Sequence, residues 1–342
     1  MPTIDDAKIV PCKKVLHRVF CKSPTHGHDQ MVYEDKPVRM FNDRSQDLAL
    51  SGKTIVRNLG HYCSQNPNIS FIVFKEYLCV EDAAPRAPWR THQRKGQSGS
   101  EISARGERLY IVSDLLQKAL DHVALCAEPE SRISAGGKRE TAAPYLFLYH
   151  HRELLSLYEK EATGLIQEHV SLLLKFLKKG YDAEYREADT QFANGVLTER
   201  HIEKLYRPND IVIEKSETRA MAYVVREWPE PEQNVVKIAC WSWMYDGMFL
   251  QRQDMVLKIG LPLSEHATFS DLAFVPISMA SEENIADLRH RGRKFWAMKD
   301  QYFGCFSGLD ANKTQNHVSR PLLSYYCVKR LLTFDNSIIQ EL

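Results

Sequence analysis

The chain has no net-charge excess, no long apolar run and no paired-cysteine spacing, and each absence removes a class of function. Acidic and basic residues nearly cancel, 44 against 45, so no overall field draws DNA, RNA or an anionic membrane. Nucleic acid is disfavoured as a partner, because binding it would need a local patch. No apolar run approaches the roughly 20 residues of a bilayer-spanning helix, and no membrane association is expected. The N-terminus, MPTIDDAKIVPCKK, carries two acids early and no apolar core, which fits neither a secretory signal nor a transit peptide. A cytoplasmic or nuclear location is expected. The eight cysteines, at 12, 21, 63, 79, 126, 240, 305 and 327, are scattered without a repeated Cys-x-x-Cys. That pattern suits free thiols in a reducing compartment better than a disulfide framework.

Motifs that carry chemistry are also scarce. Cys12, Cys21, His26 and His28 are metal-type ligands, but their spacing matches no compact zinc module, and no metal or other cofactor is expected. Ser51-Gly52-Lys53-Thr54 has the ending of a phosphate-binding loop. The place of that loop's first glycine is Asp47, an acid that would repel phosphate. His150, His151 and His169 invite a catalytic reading, yet His169 falls on an apolar helix face, the usual place of a hydrogen-bonded core histidine. No acid, base and nucleophile converge, so the chain reads as leaning away from an enzyme.

What is present is a core-forming composition, 44% hydrophobic in 342 residues, organised around Phe192 to Lys258. Thr198 can cap a short helix with Ile202, Leu205 and Tyr206 on one face, and Pro208 ends it. From Ile211 the period changes to alternation, and Asp246-Gly247 supplies the chemistry of a tight hairpin. Ile69 to Val80 alternates as a buried strand. Residues 1 to 50, punctuated by prolines, predict little regular structure. Leu109 to Cys126 predicts a helix capped by Ser113. A long helix is predicted over 153–179, with Gly180 as its left-handed stop and the 211–259 sheet beneath it. Asp271 to Ser278 reads as an extended run that Pro276 confines to an edge or a strand end. A last helix, 281–299, is capped by Ser281 and carries Arg289, His290, Arg291, Arg293 and Lys294.

Taken together, ERLYIVSDLLQKAL, APYLFLYHHRELL, HVSLLLKFL, GVLTERHIEKLYRPNDIVI, DLAFVPIS, LRHRGRKFW and QYFGCFSG, in that order, resemble the domain of unknown function that precedes the ATPase module in fungal AAA-family proteins. The likeness runs from about Glu107 to Gly308. Arg-Gly-Arg-Lys-Phe at 291 to 295 is its most specific block, and Pro-Asn-Asp at 208 to 210 replaces the usual Pro-Gly-Asp. The resemblance implies a protein partner, with an AAA ATPase as the candidate, and no assigned catalytic residue. Walker A, Walker B and sensor residues are missing, so the chain is expected to be a truncated or stand-alone version without ATP hydrolysis.

The expected fold is α+β, a mostly antiparallel sheet flanked by two amphipathic helices, with a less ordered N-terminal region. The expected divisions are a partly irregular region 1–80, a flexible linker 81–107, the α+β domain 108–308 and a divergent tail 309–342. The expected function is a non-catalytic binding or adaptor module, with Trp241, Trp243, Tyr245 and Phe249 as binding-surface candidates. Core packing is the competing account of those aromatics. The alternative is a phosphate- or nucleotide-binding enzyme using Lys53 or the helix end at Arg291, Arg293 and Lys294.

Overall fold

A computed structural model describes residues 10–21, 29–42, 47–79, 102–127, 139–215, 220–232, 234–245, 250–261 and 267–297. The chain divides into two compact units, Met1–Asn194 and Gly195–Leu342, and both combine helices with mostly antiparallel sheets. The boundary falls inside the span 108–308 that the sequence suggested as one domain.

In the first unit, strands β1 (Cys12–Phe20), β2 (Gln30–Tyr33), β3 (Val38–Asn42) and β4 (Asp47–Ser51) precede helix α1 (Leu59–Gln65). The expectation of little regular structure before residue 50 is therefore corrected. β1 was hard to see because its sequence, CKKVLHRVF, hides two core residues, Leu16 and Val19, among basic ones. Its polar members are satisfied by neighbours. Arg18 makes a two-pronged pair with Glu140, at 2.7 and 3.2 Å, and lies over the Phe74 ring at 4.0 Å; His17 bonds the Tyr77 hydroxyl at 3.0 Å.

Then come β5 (Ile69–Leu78), β6 (Gly106–Ile111), α2 (Asp114–Ala127) and β7 (Glu140–Ala142). The sheet order is β2-β1-β5-β6-β7, with only β1 and β5 parallel. β5 is central, and its first six residues are all buried, the pattern of a strand covered on both faces. Leu16, Ile72 and Phe74 pack with Leu59, Tyr62 and Cys63 around α1. Phe71 faces the other way, where Phe176 meets it at 5.5 Å. β5 and β6 are ladder neighbours, so the expected linker 81–107 joins two strands of one sheet. Most of it lies outside the described residues, and its last two residues, Gly106 and Glu107, open β6. In the expected stretch from Leu109, the first residues belong to β6 and the helix starts at the expected cap: the Ser113 hydroxyl accepts the Leu116 amide at 3.4 Å at the start of α2.

Helices α3 (Leu146–His150), α4 (Arg152–Glu161), α5 (Gly164–Gly180) and α6 (Asp182–Ala193) complete the unit. The single helix expected over 153–179 is two. Ala162 and Thr163 are extended, and Gly164 takes φ +66°, a conformation that costs a residue with a Cβ. Gly180, expected as a left-handed stop, is instead the last residue of α5. α5 packs on α2, α4 and α6. His169 is held by the Ser70 and Ser113 hydroxyls at 2.8 and 3.3 Å, a hydrogen-bonded core histidine as its helical position implied.

The second unit opens with a 3-10 turn at Ile202–Leu205. Strands β8 (Ile211–Glu214), β9 (Met221–Val225), β10 (Glu230–Glu232), β11 (Val235–Tyr245), β12 (Leu250–Gly260) and β13 (Phe274–Pro276) follow, and then helix α7 (Glu282–Ala297). All their described pairings are antiparallel, in the order β10-β11-β9-β8-β13, with β12 on the other side of β11. Pro276 ends the edge strand β13, which costs the sheet no ladder bond. The Ser281 hydroxyl accepts the Asn284 amide at the start of α7, at 3.4 Å, and Glu282 and Glu283 occupy the first turn. Residues 301–308 and the tail 309–342 lie outside the described residues.

Candidate binding surface

The longest pairing of the second unit is the β11–β12 hairpin, in register from Val235↔Gly260 to Tyr245↔Leu250. β11 alternates: Val236, Ile238, Cys240 and Ser242 are buried, while Trp241 and Trp243 are half-buried on the opposite face. Both tryptophans thus lie on the face of their strand opposite Val236, Ile238 and Cys240. Their rings meet edge to face, 6.0 Å between centroids and 89° between planes, a favoured arrangement for two quadrupoles. The Trp243 indole N–H is buried and has no hydrogen-bond partner among the described residues.

β12 furnishes the charged half of the same face. Trp241 stands opposite Asp254 and Trp243 opposite Arg252. The Arg252 guanidinium carbon lies 4.5 Å from the Trp241 centroid, a contact that contributes about 0.5–1 kcal/mol at an exposed site. Asp254 accepts from Arg226 at 2.7 Å and from Arg252 at 3.2 Å. Val256 is 55% exposed. Behind the face, burial pushes the Cys240 thiol up to about 12, with Arg226 opposing, which leaves it protonated and inert.

β12 is also an open edge among the described residues, where it pairs with β11 alone. The Leu261 amide donates to the Asn234 carbonyl at 2.7 Å, which sets the phase of the ladder. The main-chain groups of Arg252, Asp254, Val256 and Lys258 therefore point away from β11. Sequence reading found the tryptophans and missed Arg252, Arg226 and Val256. Alternation along β12 and the register of the hairpin were the available signals. The side chain of Tyr245, the residue Phe249 and the Asp246-Gly247 turn lie outside what is described.

The phosphate candidates are placed differently. Lys53, in the first unit, is exposed, and its amide and that of Thr54 both donate to Asp35, at 2.7 and 2.8 Å. In the second unit Arg291 is buried, donates to the Ala220 carbonyl and pairs with Asp287 at 2.9 Å. Arg293 is exposed, and the Lys294 side chain lies outside what is described. Arg291 and Arg293 thus occupy different environments on α7. Among the described residues no three His, Cys, Asp or Glu side chains gather as a metal site, and no helix is long and apolar enough to cross a membrane.

The first unit has a polar centre that no motif announced. The Glu107 carboxylate accepts from the Tyr145 and Tyr181 hydroxyls, each at 2.6 Å, and from Lys75. Burial alone would raise its pKa; the Lys75, Tyr145 and Tyr181 hydrogen bonds outweigh that and hold it below the ordinary value. Both of its oxygens are engaged by these groups, which marks it as a structural tie between β6 and the helices.

A domain of unknown function (DUF7025) matches residues 187–281. The match begins within α6, takes in every strand of the second unit, and ends at the residue capping α7. No curated protein and no solved structure matches the chain.

Proposed function

We propose that the chain is a non-catalytic protein-binding or adaptor module, and that the outer face of the β11–β12 hairpin is its docking surface. The observation that carries this reading is the placement of Trp241 and Trp243 side by side, half-buried, on the face of a long strand opposite its buried residues. Tryptophan and arginine supply much of the energy of protein interfaces, and Arg252 stands over Trp241. The adjoining edge of β12 offers main-chain donors and acceptors to an extended segment, so a partner strand can gain ladder bonds there while its side chains meet the indoles.

An AAA-family ATPase is the partner proposed, on the strength of the block order from about Glu107 to Gly308 that resembles the domain upstream of fungal AAA modules. The adaptor reading also accords with the arrangement around Lys53 and Arg291, since protein groups already hold the Lys53 and Thr54 amides and the Arg291 guanidinium. A photo-crosslinking residue placed at Val256 tests the proposal in native extract. Crosslinks to an AAA protein are expected, and the double variant Trp241→Ser, Trp243→Ser should lose them. Capture that persists undiminished in the double variant would show that the hairpin face is not the docking surface.

A further inference from the structure

The parallel pairing of β1 with β5 ends at Phe20 and Leu78, and the next residue of each strand is a cysteine. The Cys79 amide donates to the Phe20 carbonyl at 2.8 Å, the bond that closes the Phe20–Leu78 pairing, so the two cysteines directly follow the last paired residues. Matching positions of neighbouring strands lie about 5 Å apart and send their side chains to the same face. A disulfide needs α-carbons about 4.4–6.8 Å apart. Cys21 and Cys79 are both buried and share one cluster with Val19, Tyr33, Leu50 and Tyr77. The Leu50 amide donates to the Cys79 sulfur at 3.2 Å, which fixes its position. Burial raises the Cys79 thiol, the Leu50 amide opposes the rise, and a hydrogen bond with Cys21 adds to it.

We propose that Cys21 and Cys79 are a redox-responsive pair that closes to an intramolecular disulfide when a small disulfide oxidant of the glutathione class reaches it. One cysteine thiolate attacks a sulfur of the oxidant, the oxidant's S–S bond breaks, and one reduced thiol leaves. The second cysteine then attacks the mixed disulfide and releases the second reduced thiol. The protein gives up two electrons to the oxidant, and the two cysteine protons end on the two departing thiolates. Burial makes the first attack slow compared with that of exposed Cys126. The product would tie the end of β1 to the end of β5.

The test is a redox titration of the full chain. The folded protein is equilibrated at a series of reduced to oxidised glutathione ratios, its remaining thiols are alkylated, and it is digested without reduction for mass spectrometry. A peptide joining Cys21 to Cys79 is expected to accumulate as the buffer becomes more oxidising and to vanish with dithiothreitol. In Cys21→Ser, Cys79 should be found reduced or carrying glutathione, and never in an intramolecular link. The wild-type map decides the matter even if that variant does not fold. The proposal fails if both cysteines stay alkylatable at ratios where Cys126 is fully glutathionylated, or if they link only in denaturant. Stoichiometric bound zinc that must be chelated before the two thiols react would overturn it as well, by making them metal ligands.

Discussion

The carboxylate of Asp35 holds the backbone amide of Lys53 at 2.7 Å. Its other oxygen takes the Thr54 amide at 2.8 Å, and these two bonds hold the Asp35 carboxyl below the usual carboxylate range. Successive amides of a turn form a natural anion site, and here the protein fills it with its own anion. Millimolar ATP is therefore expected to leave the thermal unfolding midpoint of the chain unchanged, with Lys53→Ala behaving the same. Asp35→Ala should lower the midpoint by freeing the turn. A rise with ATP that Lys53→Ala abolishes would show that the turn opens to phosphate after all.

The two faces of β11 should respond differently to truncation. Ile238 is fully buried, and Ile238→Ala is expected to cost about 2–5 kcal/mol through lost burial and the cavity left behind. Trp241→Ala removes a half-exposed ring and the Arg252 contact, with an expected loss near 1 kcal/mol. Urea unfolding of the two variants measures the contrast. Equal, large losses would return Trp241 to the core and take away the main support for a binding face.

Glu107 gives the fold of the first unit a defined acid sensitivity. Its folded pKa lies below the ordinary value, so the unfolded chain takes up the proton first as pH falls. Its contribution is complete above the unfolded pKa of about 4.3 and is lost as pH drops through the lowered folded value. Glu107→Gln should cost about 2 kcal/mol at neutral pH, the range for buried charge-assisted hydrogen bonds. The gap between variant and wild type should shrink below about pH 4.3. Denaturant unfolding across pH 3 to 7 checks it; a constant gap would mean the carboxylate charge plays no part.

Local periodicity read some of this fold directly and non-local pairing hid the rest. β5 was legible from the alternation along Ile69 to Val80, although its first six residues, Ser70 among them, are all buried, and α7 because its cap and its acidic first turn are close together in sequence. β1 was not legible. Its parallel neighbour among the described strands pairs with it nearly sixty residues on, and its arginine is paired with Glu140 and its histidine hydrogen-bonded to Tyr77 from distant strands. The apolar stripe of residues 153–179 showed that this stretch must bury one face without showing against which sheet, and Phe71 supplies the answer. For the binding face, alternation located the tryptophans, while the pairing that brings Arg252 over Trp241 needed the hairpin register.

Asn209 links a sequence departure to a backbone requirement. It has φ +68°, the left-handed region that L residues avoid, with asparagine the most tolerant after glycine. It stands at the middle of Pro208-Asn209-Asp210, where the family it resembles carries glycine. The conformation is set by the turn into β8: the Asn209 amide donates to the Val225 carbonyl at 2.8 Å, and the Val225 amide returns a bond to Asp210 at 2.9 Å. Arg207 pairs with Asp210 across the same turn at 2.9 Å. Asn209→Gly keeps both backbone bonds and relieves the steric cost, so it is expected to leave stability nearly unchanged. Asn209→Ala imposes a Cβ on the left-handed residue without a side-chain amide in return, at a cost of about 1 kcal/mol. Thermal or urea unfolding of the pair distinguishes the two cases. If alanine and glycine prove equally stable there, the positive φ is not what the position demands, and the glycine of the resembled family needs another explanation.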